Sequence, residues 1–481
     1  MGHTGDQKSV AGIREARVDA GNGGAGAGAR SSGAQSGGEA QGGAAGAGVE
    51  RRVKIVRGRI VHTPESPFET GGALKSYPDG AVAVEAGRIA ALGAYRELAS
   101  EFPDAPVVDW SGAWIFPGMV DAHVHFPQVH VIGGMGLSLL DWLERRALPE
   151  ECRLADPEYA RGIARSFLSA LLRNGTTAAL VFGAHFAAAQ EVLFEEAEKS
   201  GLFIASGLVL SDRLLAPELH TTPERAYEES KRLVDRWHGR GRLRYAVTPR
   251  FALSASEGIL EVARSLMDEV PGAWFQTHLN ETKGEIEAVA SLFPDARDYL
   301  DVYERFELVR DRSVFAHNVH SRDRELDALA ASRAWVAHCP SSNAGLGSGL
   351  FPMTRHVRRG VRIALGSDVG AGAGFSLFHE GLMAYQTQML REDGYALKPA
   401  HLLYLVSRAG ALALGIDGEA GDLTPGKRAD LVVVRPPHGS TLEALLARCE
   451  SEEEALALVF TLAREESVAA VYLAGEIAYR R

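Results

Sequence analysis

Between residues 115 and 368 the chain alternates eight short apolar runs with stretches of helical spacing, and that alternation leaves few folds open. The runs are residues 115–125, 177–182, 203–210, 243–251, 274–278, 314–317, 335–339 and 363–368. Each is nearly continuously apolar rather than alternating, as expected of parallel strands buried on both faces. The segments between them, such as 157–172 and 223–237, place Leu, Ala and charged residues at helical intervals. Repeated strand–helix units predict an α/β protein with a parallel sheet, and eight of them predict a (β/α)8 TIM barrel.

The flanks have a different texture. Residues 53–61, 80–84 and 88–92 are short, β-branched and punctuated by Gly, and so are residues 429–434 and 468–473 with the Gly475-Glu476 turn after them. Both chain ends therefore predict strands of one small β-sandwich domain, formed from 51–116 and 416–481, with the barrel of residues 117–415 inserted between them. Residues 21–48 contain no Leu, Ile, Val, Phe, Tyr or Trp. Such a stretch cannot bury enough apolar area to offset its ordering entropy, so residues 1–50 are expected to be a disordered tail, dispensable for activity.

Charge and cysteine usage narrow the function classes. The 51 basic residues are outnumbered by 62 acidic ones, a net charge of −11, and no basic block is present. A dedicated nucleic-acid partner is thereby argued against. Cys152, Cys339 and Cys449 form no Cys-x-x-Cys pair, which predicts neither a disulfide framework nor a thiolate zinc site and fits a reducing, cytoplasmic setting. No apolar stretch has the length of a signal peptide core or a membrane span. Met1-Gly2 is followed by Asp6 where acylation needs Ser or Thr, so no membrane partner is expected.

In a barrel of this kind the catalytic face lies at the C-terminal ends of the strands. The first run ends in Asp121-Ala122-His123-Val124-His125, and strand residues two apart point the same way, so His123 and His125 can grip one metal ion. The fifth continues through Gln276-Thr277-His278-Leu279-Asn280-Glu281, the sixth ends at His317 and the eighth at Asp368. A single His-x-His is common by chance, and a single strand-end Asp more often caps a helix. Four such ends in one barrel predict a metal centre. Three neutral imidazoles and a carboxylate suit Zn2+, with Fe2+ as the second choice.

These features resemble the amidohydrolase superfamily, whose members are barrels with an appended β domain built from both chain ends. The resemblance is carried by Pro117-Gly118-Met119-Val120-Asp121-Ala122-His123-Val124-His125 and by Pro425-Gly426-Lys427-Arg428-Ala429-Asp430-Leu431-Val432. Two-metal members carry a carboxylated Lys at the end of the fourth strand. Thr248-Pro249-Arg250-Phe251 stands there instead, so one metal per subunit is expected.

Further motifs resemble the guanine deaminase branch: Phe126-Pro127-Gln128, Arg250-Phe251, Ala337-His338-Cys339-Pro340-Ser341-Ser342-Asn343, Gly347-Ser348-Gly349-Leu350 and Ser367-Asp368-Val369-Gly370. That resemblance implies a zinc-dependent deamination of guanine and a homodimer. His123, His125, His278 and Asp368 would hold the metal. Asp368 would accept the proton of the attacking water, Glu281 would shuttle protons and His317 would orient the nucleophile. Gln128 and Arg250 would read the guanine edge, with Phe251 and Trp142 covering the ring face.

From the residues alone, Arg250 could equally pair with a carboxylate, Gln128 be a surface amide and Trp142 pack in the core. His338 and Cys339 are expected to shape the seventh strand, and His130, His185 and His320 to be structural. Asn280, Asn318 and Ala344-Gly345 replace the Ser, Gly and bulkier apolar residues of the pattern, and the last pair is expected to loosen a pocket wall. The alternative function is deamination of a related heterocycle, 8-oxoguanine or a pterin.

Overall fold

The computed structural model describes residues 53–481. The tail expected from composition lies outside the described residues. One sheet of seven strands takes its members from both ends of the described chain. In order across the sheet they are Glu476–Arg480, Val468–Leu473, Leu431–Val434, Val107–Pro117, Lys54–His62, Lys75–Glu85 and Arg88–Ala94. Every neighbouring pair is antiparallel except Lys54–His62 with Val107–Pro117. Residue alternation divides the faces. Ile115, Leu431 and Val433 enter the small domain's own core, whereas Trp114, Phe116, Val432 and Val434 point into the core of the barrel.

Two sequence expectations change here. Val107–Pro117 was not singled out as a strand, because Ser111-Gly112 reads as a turn. Gly112 does sit at φ +80°, and the register with Lys54–His62 slips there, but pairing resumes beyond it. The first barrel strand was expected from residue 115, and it starts at Met119. Residues 115–117 instead pair with Leu431, Val432 and Val433. Gly118 makes the hand-over: a Cβ there would come within 2.1 Å of Thr177 Oγ1, so only a bare backbone fits between the sheets.

The barrel strands are Met119–His125, Thr176–Phe182, Phe203–Gly207, Leu243–Pro249, Trp274–Leu279, Ser313–His317, Trp335–His338 and Arg362–Leu365. All are parallel to their neighbours. The expected run 203–210 divides, with Val209–Leu210 pairing separately with Thr248 and Pro249. The first strand is buried along its whole length, which explains why the barrel strands read as unbroken apolar runs. Eighth and first strands meet at the catalytic end, where the Asp368 amide donates to the His123 carbonyl at 2.8 Å.

Side-chain caps fix where the helices begin. Asp156 caps Pro157–Arg173 and Ser256 caps Glu257–Glu269. Thr282 and Glu285 form a capping box at the start of Lys283–Leu292. The same Glu285 carboxylate accepts the Glu281 amide at 3.0 Å, so the cap that starts the helix also anchors the backbone of a candidate catalytic residue. None of the described helices is long and apolar enough to cross a membrane.

Candidate active site

His123, His125, His278 and Asp368 converge from the first, fifth and eighth strand ends, each offering a ligand atom within 4.8 Å of the others. His123 Nε2 lies 3.2 Å from His125 Nε2, which lies 3.3 Å from His278 Nε2. Asp368 Oδ1 stands 3.3 Å from His123 Nε2 and 3.2 Å from His125 Nε2. A tetrahedron with ligand bonds of about 2.0–2.1 Å has edges of about 3.3–3.4 Å, so this spacing fits one small cation. The chemistry of the donors fits as well. His278 Nδ1 is 2.7 Å from the Arg250 carbonyl oxygen, which only accepts, so Nδ1 carries the proton and Nε2 presents a lone pair to the cluster. Burial lowers the pKa of His123 to about 4 and that of His278 well below the ordinary value, keeping both neutral. Burial alone would raise Asp368, but the adjoining imidazoles outweigh it and hold the carboxyl ionised.

Unusual backbone geometry aims these side chains. Asn280, His317, Asn318 and Asp368 have φ of +51°, +71°, +54° and +49°. Non-glycine residues rarely occupy this region, and such strain persists only where neighbours over-determine it. Here the Asn318 amide donates to Leu279 O and the Asp368 amide to His123 O. Asn is among the side chains best tolerated at positive φ, which accounts for Asn280 and Asn318 departing from the expected pattern without a break in the fold. Gly366 is required by proximity, since a Cβ there would lie 2.7 Å from His123 Cβ and 2.9 Å from its backbone nitrogen.

Glu281 and His317 face the cluster. Glu281 Oε1 accepts from Ser348 Oγ at 2.9 Å, and its Oε2 is 3.5 Å from His317 Nε2. Burial, helped by the charges of Glu285 and Asp368, raises the Glu281 pKa to about 7 against the opposing pull of His317. Burial works against a charged His317, yet Glu281 and Asp368 raise its pKa above the ordinary value. Its Nδ1 meets Asn343 Oδ1 at 2.9 Å, which leaves Nε2 directed toward Glu281 and, at 3.9 Å, toward Asp368 Oδ2.

A cavity opens onto this cluster, walled by His125, Gln128, Trp142, Arg250, Phe251, His278, Glu281, His317, Leu346 and Asp368 among others. All the expected site residues except His123 line it; His123 is buried behind, among the metal-ligand atoms. The alternatives left open for Arg250 are both realised. It lines the cavity, and its Nη1 also donates to both oxygens of Glu151 at 2.9 and 2.7 Å. Gln128 is buried rather than on the surface, with Nε2 donating to Glu151 Oε1 at 2.8 Å. Trp142 is both cavity wall and core.

Glu151 carried no signal in the sequence beyond the Glu150-Glu151 pair, which reads as a solvated helix face. Phe182 was missed as well: its ring centroid stands 4.6–5.0 Å from those of His123, His125 and His278 and dries the metal cluster from beneath. Ser348 and Asn343 lay inside quoted motifs but had no role attached. Ala344 and Gly345 do not wall the cavity. Both are exposed, and Leu346 fills that place, because the short helix Pro340–Gly345 turns its last residues outward.

The remaining residues singled out are structural in their contacts. His338 stacks on Phe351 at 4.3 Å, and His130 meets Tyr159 Oη at 3.0 Å near the surface. His320 Nε2 donates to Ser348 O at 2.7 Å, and His185 Nε2 stands 3.1 Å from Glu151. Cys339 lies near His317 and Asp368, but burial pushes its thiol well above the ordinary value, leaving a neutral, weak ligand. Cys152, Cys339 and Cys449 are all free.

Comparison with known proteins gives the same architecture a lineage. The amidohydrolase family model matches residues 114–478, and an imidazolonepropionase-like composite domain of bacteria matches residues 80–105. The chain is 57% identical over 435 residues to a probable guanine deaminase of Deinococcus radiodurans, covering 89% of this chain and 99% of that one. It superposes on the E. coli guanine deaminase with a TM-score of 0.85 and 37% identity, over 90% and 100% of the two chains. A guanine deaminase of C. acetobutylicum, solved with guanine in its active site, gives a TM-score of 0.82 at 25% identity, over 89% and 100%.

Proposed function

This chain belongs to the amidohydrolase family, among its guanine deaminases, and from that membership we propose that it hydrolyses guanine to xanthine and ammonia. One observation carries the reading most directly. A single cavity is lined by both sets of residues, His125, His278 and Asp368 of the cluster with Glu281 and His317, and Arg250 with Gln128. An aminated ring lying between them has its carbon against the hydrolytic groups and its far edge against hydrogen-bonding groups.

A divalent cation held by His123, His125, His278 and Asp368 would supply Lewis-acid activation of a water at neutral pH. The imidazole-rich set favours zinc, one ion per chain, with iron(II) second. The chain's own groups divide the proton work. Asp368, held ionised, takes the proton that the attacking water gives up. Glu281, whose pKa of about 7 lets it hold or release a proton, protonates the ring nitrogen beside guanine C2 and then serves the departing amine. His317 Nε2 steadies the oxygen that adds to C2. Water oxygen becomes the new carbonyl of xanthine, and the exocyclic nitrogen leaves as ammonia.

Phe251 and Trp142 cover the ring, and Arg250 with Gln128 reads the edge bearing the carbonyl. A site built to donate to a carbonyl rejects an amine in its place, because its own buried donors are then left unpaired. The same reading includes a role in purine catabolism, a cytoplasmic setting and a homodimer, the last checked by light scattering on the eluting protein. The test of function is direct: the zinc-loaded protein, given guanine, 8-oxoguanine, isoxanthopterin and adenine, releases ammonia fastest from guanine. Faster release from another ring would transfer the assignment to that substrate, and no ammonia from any would end it.

A further inference from the structure

Glu151 is a buried carboxylate with four polar contacts and no place in the proton chemistry. It is 3% exposed. Its two oxygens accept from Arg250 Nη1 at 2.9 and 2.7 Å, Oε1 accepts from Gln128 Nε2 at 2.8 Å, and Oε2 stands 3.1 Å from His185 Nε2. Burial alone would raise its pKa, but the Arg250 charge leads the groups that hold it ionised. Four segments therefore meet on one side chain: the turn after the first strand, the turn after the second that carries His185, the fourth strand end, and the helix Leu148–Cys152 that carries Glu151 itself.

We propose that Glu151 is a positioning residue for specificity, a clamp that fixes Arg250 and Gln128 so that they read a neutral lactam edge and refuse an amidine one. The inference rests on the guanine reading above. Two consequences of the geometry define it. Gln128 gives one of its two amide N–H groups to Glu151, which orients the amide and leaves Oε1 free to accept. Gly370 makes room for that oxygen, since a Cβ there would come within 2.3 Å of it. Arg250, its charge already balanced by Glu151, is no trap for an anionic substrate; its remaining N–H groups serve as neutral-partner donors, suited to a carbonyl oxygen. A donor from Arg250 and an acceptor from Gln128, held at fixed separation by one carboxylate, complement a ring that offers a carbonyl and an N–H. They oppose a ring with an amine where the carbonyl stood.

The experiment compares Glu151→Gln and Glu151→Asp with the wild-type holoenzyme on guanine and on 2,6-diaminopurine, which differs by that one replacement. Glu151→Gln is expected to raise KM for guanine by about 10- to 150-fold, the range for losing a charge-assisted hydrogen bond, with kcat changed far less. The ratio of kcat/KM for guanine over 2,6-diaminopurine falls in parallel, and Glu151→Asp restores part of both. The double variant Glu151→Gln with Gln128→Leu loses much less than the sum of the two single losses, since both act through one clamp. Calorimetric binding of xanthine gives a readout independent of turnover and weakens in the same order. If Glu151→Gln fails to fold, Gln128→Leu with Glu151→Asp carries the same comparison. Unchanged KM and selectivity in Glu151→Gln, or a fall in kcat and melting temperature with the substrate ratio intact, overturns the clamp while leaving guanine deamination in place. A wild type that turns over no guanine overturns both.

Discussion

His278 Nδ1 and the backbone carbonyl of Arg250 lie 2.7 Å apart, so a residue of the candidate metal cluster leans on a residue that lines the cavity. The link runs through backbone, and that separates the two roles of Arg250. Replacing the side chain leaves the carbonyl in place. Arg250→Met is therefore expected to retain one equivalent of metal, measured by elemental analysis, while KM for guanine rises by about 10- to 150-fold. Loss of metal in this variant would show that the side chain, too, supports the cluster.

Glu281 is expected to be essential to turnover and dispensable to assembly. Its carboxylate is no ligand of the cluster, and Gln keeps the shape and the contact with Ser348. Glu281→Gln should keep melting temperature and metal content and lose about 10²–10⁴-fold in kcat. A rate near that of the wild type would remove Glu281 from the proton path.

The pH profile follows from the same residue. Burial raises Glu281 to about 7, so the group is protonated below that pH and ionised above it. Because the protonated form donates to the ring, kcat falls as pH rises through about 7, and the positive charge of a bound metal draws that inflection downward. At the acid end protons compete with metal for His123, whose pKa burial lowers to about 4 even without the cation, so metal and activity are expected to be lost together as pH falls below about 4. Rate and metal content measured across the pH range test both limbs; an alkaline limb that persists in Glu281→Gln would assign it to another group.

Asn343 holds His317 by its Nδ1, at 2.9 Å, and touches no reacting atom. Asn343→Ala should lower kcat about tenfold through a misaimed imidazole while KM for guanine stays within a factor of about two. Equal changes in both would mean that the contact serves substrate binding instead.

Gly366→Ala would bring a methyl against the backbone and Cβ of His123. The expected cost is about 1–3 kcal/mol of stability, as for other overpacked core sites, with weaker zinc retention under chelator. A variant as stable as the wild type would mean that the first strand yields more readily than the surrounding packing implies.

Much of this could be read from residue order, for physical reasons that differ by element. Barrel strands were legible because burial on both faces forces continuous apolar runs, and the metal cluster because three strand ends carry its imidazoles and carboxylate. The strand Val107–Pro117 was not, since Ser111-Gly112 imitates a turn while the ladder resumes past it. Glu151 was hidden for another reason. An acidic pair on a short helix has the same composition whether it faces water or an arginine from a strand about a hundred residues away, and no local pattern distinguishes the two. Ala344-Gly345 misled in the opposite sense, its motif position suggesting a wall that Leu346 supplies.

The small-domain strand Val107–Pro117, which passes through Gly118 into the ligand strand Met119–His125, pairs along residues 114–117 with Leu431–Val434, contributed by sequence more than three hundred residues later. Synthesis proceeds from the N-terminus, so Val107–Pro117 emerges early and waits for this neighbour until almost the whole chain has been made. The last ligand, Asp368, also precedes that neighbour. Closure of the small domain thus becomes a late event, after every ligand residue has been made. A chain cut short before residue 431 keeps every ligand and still lacks the strand that pairs with residues 114–117, where the small domain hands over to the barrel.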